Sequence, residues 1–187
     1  MTPDAPLLLV AHPGNPPIAV ERITVAVSAP GGAVRLHYRI RCGDDALHVP
    51  GRAAAGFADG LWRHTCFEAF FAPVGASAYR EFNFSADGRW AGYCFANWRQ
   101  RSGDLRGFPA PRLSVGWLDR ALEVDVVLPA ALLGDAERFD VGLSAVVEGR
   151  DRALGYWALS HAPGPPDFHR RAGFCYRLGR DPGGEAR

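Results

Sequence analysis

An all-β, single-domain antiparallel β-sandwich is the fold this sequence predicts, on three observations. Apolar and polar residues alternate with period two, turn residues recur at short spacing, and helical periodicity is scarce. Alternation is clearest where Val34, Leu36, Tyr38 and Ile40 interleave with Arg35, His37, Arg39 and Arg41, as in a strand with one buried face. It returns in Leu122, Val124, Val126 and Leu128, and again in Val141, Leu143, Ala145 and Val147. Denser apolar runs at 18–27, 62–71, 79–84, 90–95, 113–118, 154–159 and 174–178 are mostly bounded by Gly, Pro, Asp or Ser, which adds up to roughly nine to eleven strands. Asp87-Gly88 between two aromatic-rich runs predicts a hairpin. Pro129, with Gly134 beyond Leu133, predicts one short helical turn opening on proline, and 51–60 a second. Segments 12–17 and 162–166 are Pro/Gly-rich loops, and the sandwich domain is expected over 1–179 with a disordered tail at 180–187.

At 187 residues the chain has the length of one domain. Hydrophobic residues make up 48% and charged ones 22%, close to globular averages of about 45–50% and about 25%, so a packed core is expected. A formal net charge of +1 provides no field that would draw the protein to nucleic acid or an anionic membrane. Every basic residue is Arg, which suggests a GC-rich bacterial coding source. The single Met is Met1, so no internal methionine can ligate haem or copper. Cys42, Cys66, Cys94 and Cys175 lie far apart in apolar runs and read as buried free thiols. The N-terminal stretch has no basic region and a short apolar run, which argues against a signal peptide or membrane span and for a cytoplasmic location. Asn83-Phe84-Ser85 matches a glycosylation acceptor, a chance match inside a strand.

Dinucleotide, P-loop, nucleophile-elbow and zinc-protease motifs are missing from the sequence. What stands out instead is three stretches dense in aromatic and polar residues: 61–68, 79–90 and 156–169. In the second, Glu81 and Asn83 project opposite Phe82 and Phe84. Glu68 interrupts an apolar strand, where a buried carboxylate needs a partner. Trp62 and Trp157 adjoin polar loops and are the aromatic candidates for ligand contact, whereas Trp90 reads as core. His64, His161 and His169 are candidate ligand contacts beside the simpler reading of hydrogen-bonded surface histidines. Asp167 is placed to orient His161 or His169, and Arg99, beside Trp98, to pair with a carboxylate or an acidic ligand.

These stretches resemble the bacterial DOMON-like proteins, relatives of the family 9 carbohydrate-binding modules. The resemblance is carried by the run from Leu61-Trp62-Arg63-His64-Thr65-Cys66-Phe67-Glu68 to Phe70, by Tyr79-Arg80-Glu81-Phe82-Asn83-Phe84-Ser85 with Asp87-Gly88-Arg89-Trp90-Ala91, and by Tyr156-Trp157-Ala158-Leu159, His161 and Pro166-Asp167-Phe168-His169. It implies a β-sandwich whose better-studied relatives bind sugars between aromatic side chains, or bind haem. The Met–His haem ligation of the cytochrome relatives does not carry over, because no internal Met exists.

Together these readings give a non-catalytic binding domain for a carbohydrate or related small polar ligand, needing no cofactor. The expected ligand contacts are Trp62, His64, Glu68, Glu81, Asn83, Arg99, Trp157, His161, Asp167 and His169. A hydrolase or lyase using Glu68 and Glu81 with a histidine is one alternative. Haem or metal binding through histidines is another. Oligomeric state is not legible.

Overall fold

The computed structural model describes residues 5–16, 18–43 and 45–180. Among these are twelve strands, paired with one another in antiparallel fashion. They are β1 (Leu7–Ala11), β2 (Val20–Ser28), β3 (Val34–Cys42), β4 (Cys66–Pro73), β5 (Tyr79–Ser85), β6 (Trp90–Asn97), β7 (Gln100–Asp104), β8 (Arg112–Leu118), β9 (Ala121–Leu128), β10 (Arg138–Glu148), β11 (Leu154–Ala158) and β12 (Tyr176–Gly179). One sheet runs β1-β2-β3-β9-β8 and the other β7-β6-β5-β4-β10-β11-β1. Strand β1 belongs to both, pairing Leu7–Leu9 with β2 and Val10–Ala11 with β11. Strand β12 pairs with the first residues of β10, beyond the end of β11. No helix among the described residues is long and apolar enough to cross a membrane.

The alternation that predicts the strands also explains the layers. Ile23, Val25, Leu36, Tyr38, Ile40, Leu122, Val124 and Val126 from the first sheet meet Phe67, Phe71, Phe82, Phe84, Val141, Leu143 and Ala145 from the second in one core. A fully buried side chain of this size contributes roughly 1.5–3 kcal/mol, so this contact dominates the stability. The second sheet is apolar on its other face too. Cys66, Phe70, Tyr79, Tyr93, Phe95 and Phe174 form a separate buried cluster there, because the segment from β11 to β12 crosses that face.

Some expected details differ. Residues 51–60 form no helix, because their backbone hydrogen bonds are taken by the hairpin beneath: Ala53 N–H donates to Asp87, Ala58 N–H to Trp90, and Gly56 accepts from Trp90. A 3-10 turn follows at Leu61–Arg63 instead. The turn at Ala130–Leu132 forms as expected, with Pro129 as its cap in extended conformation. Strand β7 is fully exposed and carries no apolar alternation, so periodicity gave no sign of it. Cys42 and Cys66 are buried as expected, but Cys175 is exposed and Cys94 half-buried. Residue Arg180 is anchored, its guanidinium donating to Gly134 and Ala136 carbonyls, while 181–187 lie outside the described residues.

Candidate functional site

Outward-facing positions of β4, β5 and β6 form the floor of a cavity of about 440 Å³ on the second sheet, within the range of small-molecule sites, about 300–1,000 Å³. Strand register explains which residues meet there. Glu68 lies opposite Asn83 and Ser144, and on the next rung Glu81 lies opposite Phe70 and Tyr93. Because Phe67, Ala69, Phe82 and Phe84 fill the core, their neighbours Glu68, Glu81 and Asn83 must face the other way. Val146 and Tyr156 extend the floor along β10 and β11.

Three loops build the walls. The 3-10 turn brings Trp62 and Arg63, with the Trp62 ring edge-on to Tyr93 at 6.1 Å. The β6–β7 turn brings Arg99, held at a positive φ of 53°, a conformation that costs a non-glycine residue about 1–2 kcal/mol. Asp167 holds it there: Arg99 Nε and Nη2 donate to Asp167 Oδ1 at 3.2 and 2.8 Å, and Trp98 Nε1 donates to Oδ2 at 3.1 Å. Asp167 also accepts the His169 backbone N–H and pairs with Arg170. Burial alone would raise this carboxyl, yet the Arg99 bonds and charge bring it below the ordinary range. The third wall is the crossing segment between β11 and β12, which supplies Pro166, Phe168 and His169.

At the centre, the Tyr79 hydroxyl accepts the Arg99 backbone N–H at 3.1 Å and shares a hydrogen bond with His169 Nδ1 at 2.7 Å. The other ring nitrogen, His169 Nε2, lies 3.7 Å from Glu81 Oε2. Phe70, Phe95 and Tyr79 surround the imidazole. Burial, reinforced by the Arg99 charge, lowers His169 to about 4. Glu81 Oε1 accepts from Asn83 Nδ2 at 2.7 Å. Burial raises Glu81 to about 7, against the opposing pull of Asn83, Arg99 and Arg101.

Glu68 is 4% exposed. Its carboxyl has no hydrogen bond or ion pair with any described residue, yet it lines the cavity. Burial, then the neighbouring charge of Glu81, pushes it well above the ordinary carboxylate range. Its oxygens are not among the fully buried side-chain atoms of the described residues that lack a hydrogen bond, which are Arg39 Nε, Ser144 Oγ and Arg171 Nη1, so the carboxyl meets the open cavity, where solvent or a ligand supplies its hydrogen bonds.

Of the residues singled out from sequence, Trp62, Glu68, Glu81, Arg99 and His169 line the cavity. Asn83 and Asp167 stand directly behind it, on Glu81 and Arg99. Three lie elsewhere. Trp157 points inward and packs against the core. His64 Nδ1–H donates to the carboxylate of buried Glu148 at 2.8 Å. His161 is bonded to the Val10 carbonyl and set edge-on to His12. Sequence reasoning passed over Arg63, Tyr93, Phe95, Arg101, Tyr156 and Phe168. Strand parity was the available signal: pairing Glu81 with Tyr93, or reading Tyr156 and Trp157 as opposite faces, selects the lining residue in each case. Among the described residues no group of three His, Cys, Asp or Glu side chains is arranged to hold a metal ion.

The chain matches no protein-family model, and no curated protein matches it. Among solved structures it is similar to a candidate carbohydrate-binding protein from Bacteroides uniformis. The superposition has a TM-score of 0.66 over 94% of this chain and 85% of that one, at 18% identity. That likeness is one of fold.

Proposed function

We propose that the cavity binds, without transforming, a carbohydrate or related small polar ligand. The observation that carries this reading is Glu68: a largely buried carboxyl that no described residue hydrogen-bonds, at the floor of a hollow whose walls include the half-exposed Trp62. A sugar offers hydroxyl donors to such a group and C–H faces to rings such as Trp62, Tyr156 and Phe168. Support also comes from the Bacteroides uniformis protein of similar fold, itself a candidate carbohydrate-binding protein, and from the resemblance of the aromatic–polar stretches to DOMON-like proteins and family 9 carbohydrate-binding modules. The reading calls for no cofactor and no nucleic-acid or membrane partner. Calorimetry against a panel of mono- and oligosaccharides tests it. Binding that falls at least about tenfold in Glu68→Ala and Trp62→Ala supports it, and the absence of heat with every sugar removes it.

A hydrolase is the second reading, favoured by one observation: Glu81, at about 7, can exchange a proton near neutrality beside a second carboxyl. Release of reducing ends from oligosaccharides, abolished in Glu81→Gln, would establish turnover. Bound sugars recovered intact after prolonged incubation leave the binding reading alone.

A further inference from the structure

The donors that the cavity floor lacks can be narrowed to a chemical type. Glu68 and Glu81 stand on diagonal positions of adjacent strands and rise from the same face. Asn83 satisfies one oxygen of Glu81, and His169 Nε2 approaches the other only to 3.7 Å. Both oxygens of Glu68 and Oε2 of Glu81 therefore receive no hydrogen bond from a described residue.

The arginines of the walls do not fill this need. Arg99 is tied to Asp167, while Arg101 lies 4.0 Å over the Tyr93 ring and pairs with Asp59 and Asp104. Arg63 stands exposed at the rim. A primary ammonium brings three N–H donors, no acceptor, and a charge that stabilises the ionised form of two largely buried carboxyls. A hydroxyl brings one donor and no charge. Burial holds both carboxyls above their ordinary range, toward their neutral forms, and a cation seated between them favours the ionised forms, so that protons are released as it binds.

Resting on the carbohydrate reading above, we propose that the ligand is an amine-bearing one, an amino sugar or aminocyclitol, with its ammonium between Glu68 and Glu81 and its ring against Trp62.

The test is calorimetry at neutral pH with glucosamine, galactosamine, mannosamine and 2-deoxystreptamine, each beside its hydroxyl counterpart, and the three hexosamines also beside their N-acetyl forms. The expected result is that at least one amine binds about tenfold or more tightly than its counterparts, and that Glu68→Gln or Glu81→Gln erases the preference. Equal or tighter binding of the hydroxyl and N-acetyl forms overturns the amine assignment and leaves the carbohydrate reading standing. A preference that survives in both variants overturns the carboxylate seat. No binding by any of these compounds overturns the amine assignment, while the carbohydrate reading then stands or falls with the wider sugar panel. Thermal melts establish that each variant is folded, and if neither is, the comparison on the wild-type protein decides.

Discussion

Glu81 and His169 sit 3.7 Å apart with protonation equilibria displaced in opposite senses, and the signs can be read out as stability. Glu81 is raised from 4.5 to about 7, so the folded protein holds this proton after the unfolded chain has lost it. Stability from this group therefore declines as pH climbs from about 4.5 through about 7. His169 is lowered from 6.5 to about 4. The folded protein resists that proton, and stability declines as pH falls from about 6.5 through about 4. The two oppose each other between about 4.5 and 6.5. Above that window the histidine no longer contributes and the raised carboxyls of Glu81 and Glu68 act in the same direction, so the melting temperature should drop between about pH 6.5 and 8. Glu81→Gln should flatten that drop, and a wild-type profile rising with pH there would contradict the assignment. Trp62 gives a second residue-scale expectation. Its ring is 40% exposed, so Trp62→Ala should change unfolding free energy by about 1 kcal/mol or less while it removes a wall of the cavity.

Among the elements, the segment between β11 and β12 decides whether the outer face of the second sheet is a surface or a site. It docks because Gly142 on β10 leaves room for Phe174: a Cβ there would stand 2.7 Å from the Phe174 ring. Gly142→Ala should thus destabilise the fold by about 1–3 kcal/mol, measured by urea denaturation, through displacement of Phe174 from its cluster with Phe70 and Tyr79. Asp167 is the polar tether of the same segment. Asp167→Ala should leave the core melting transition largely in place and speed hydrogen exchange at 166–170 and around Arg99, since Trp98, Arg99, Arg170 and the His169 backbone all lose their acceptor. Unchanged exchange in that variant would show the segment held by Phe168 and Phe174 alone.

For the whole molecule, stability rests on the contact between the two sheets. Phe67 is fully buried there, its ring 5.1 Å from Tyr38 of the opposite layer. Phe67→Ala should cost about 3–5 kcal/mol in denaturant unfolding, far more than any substitution in the cavity. That layer was legible in the sequence, because burial on one face imposes period two and apolar residues recur at every second position of 34–40, 122–128 and 141–147. The β5–β6 hairpin was legible as well, from Asp87-Gly88 and its turn chemistry, with Gly88 at a φ of 96°. Strand β7 was not, since an exposed edge strand has no burial to record in its composition. The site was legible by halves. Carboxylates at Glu68 and Glu81 stand out because charge inside an apolar strand is rare. Which aromatic of Tyr156 and Trp157 faces the cavity turns on a one-residue register, and that is fixed by pairing with β10. By itself the sequence determined the layers, the turns and the unusual carboxyls, since each is a local consequence of burial or backbone geometry. The meeting of Trp62, Glu68, Glu81, Arg99 and His169 was decided only by tertiary structure, because they come from strands and loops whose closeness depends on long-range register and on one segment crossing a sheet.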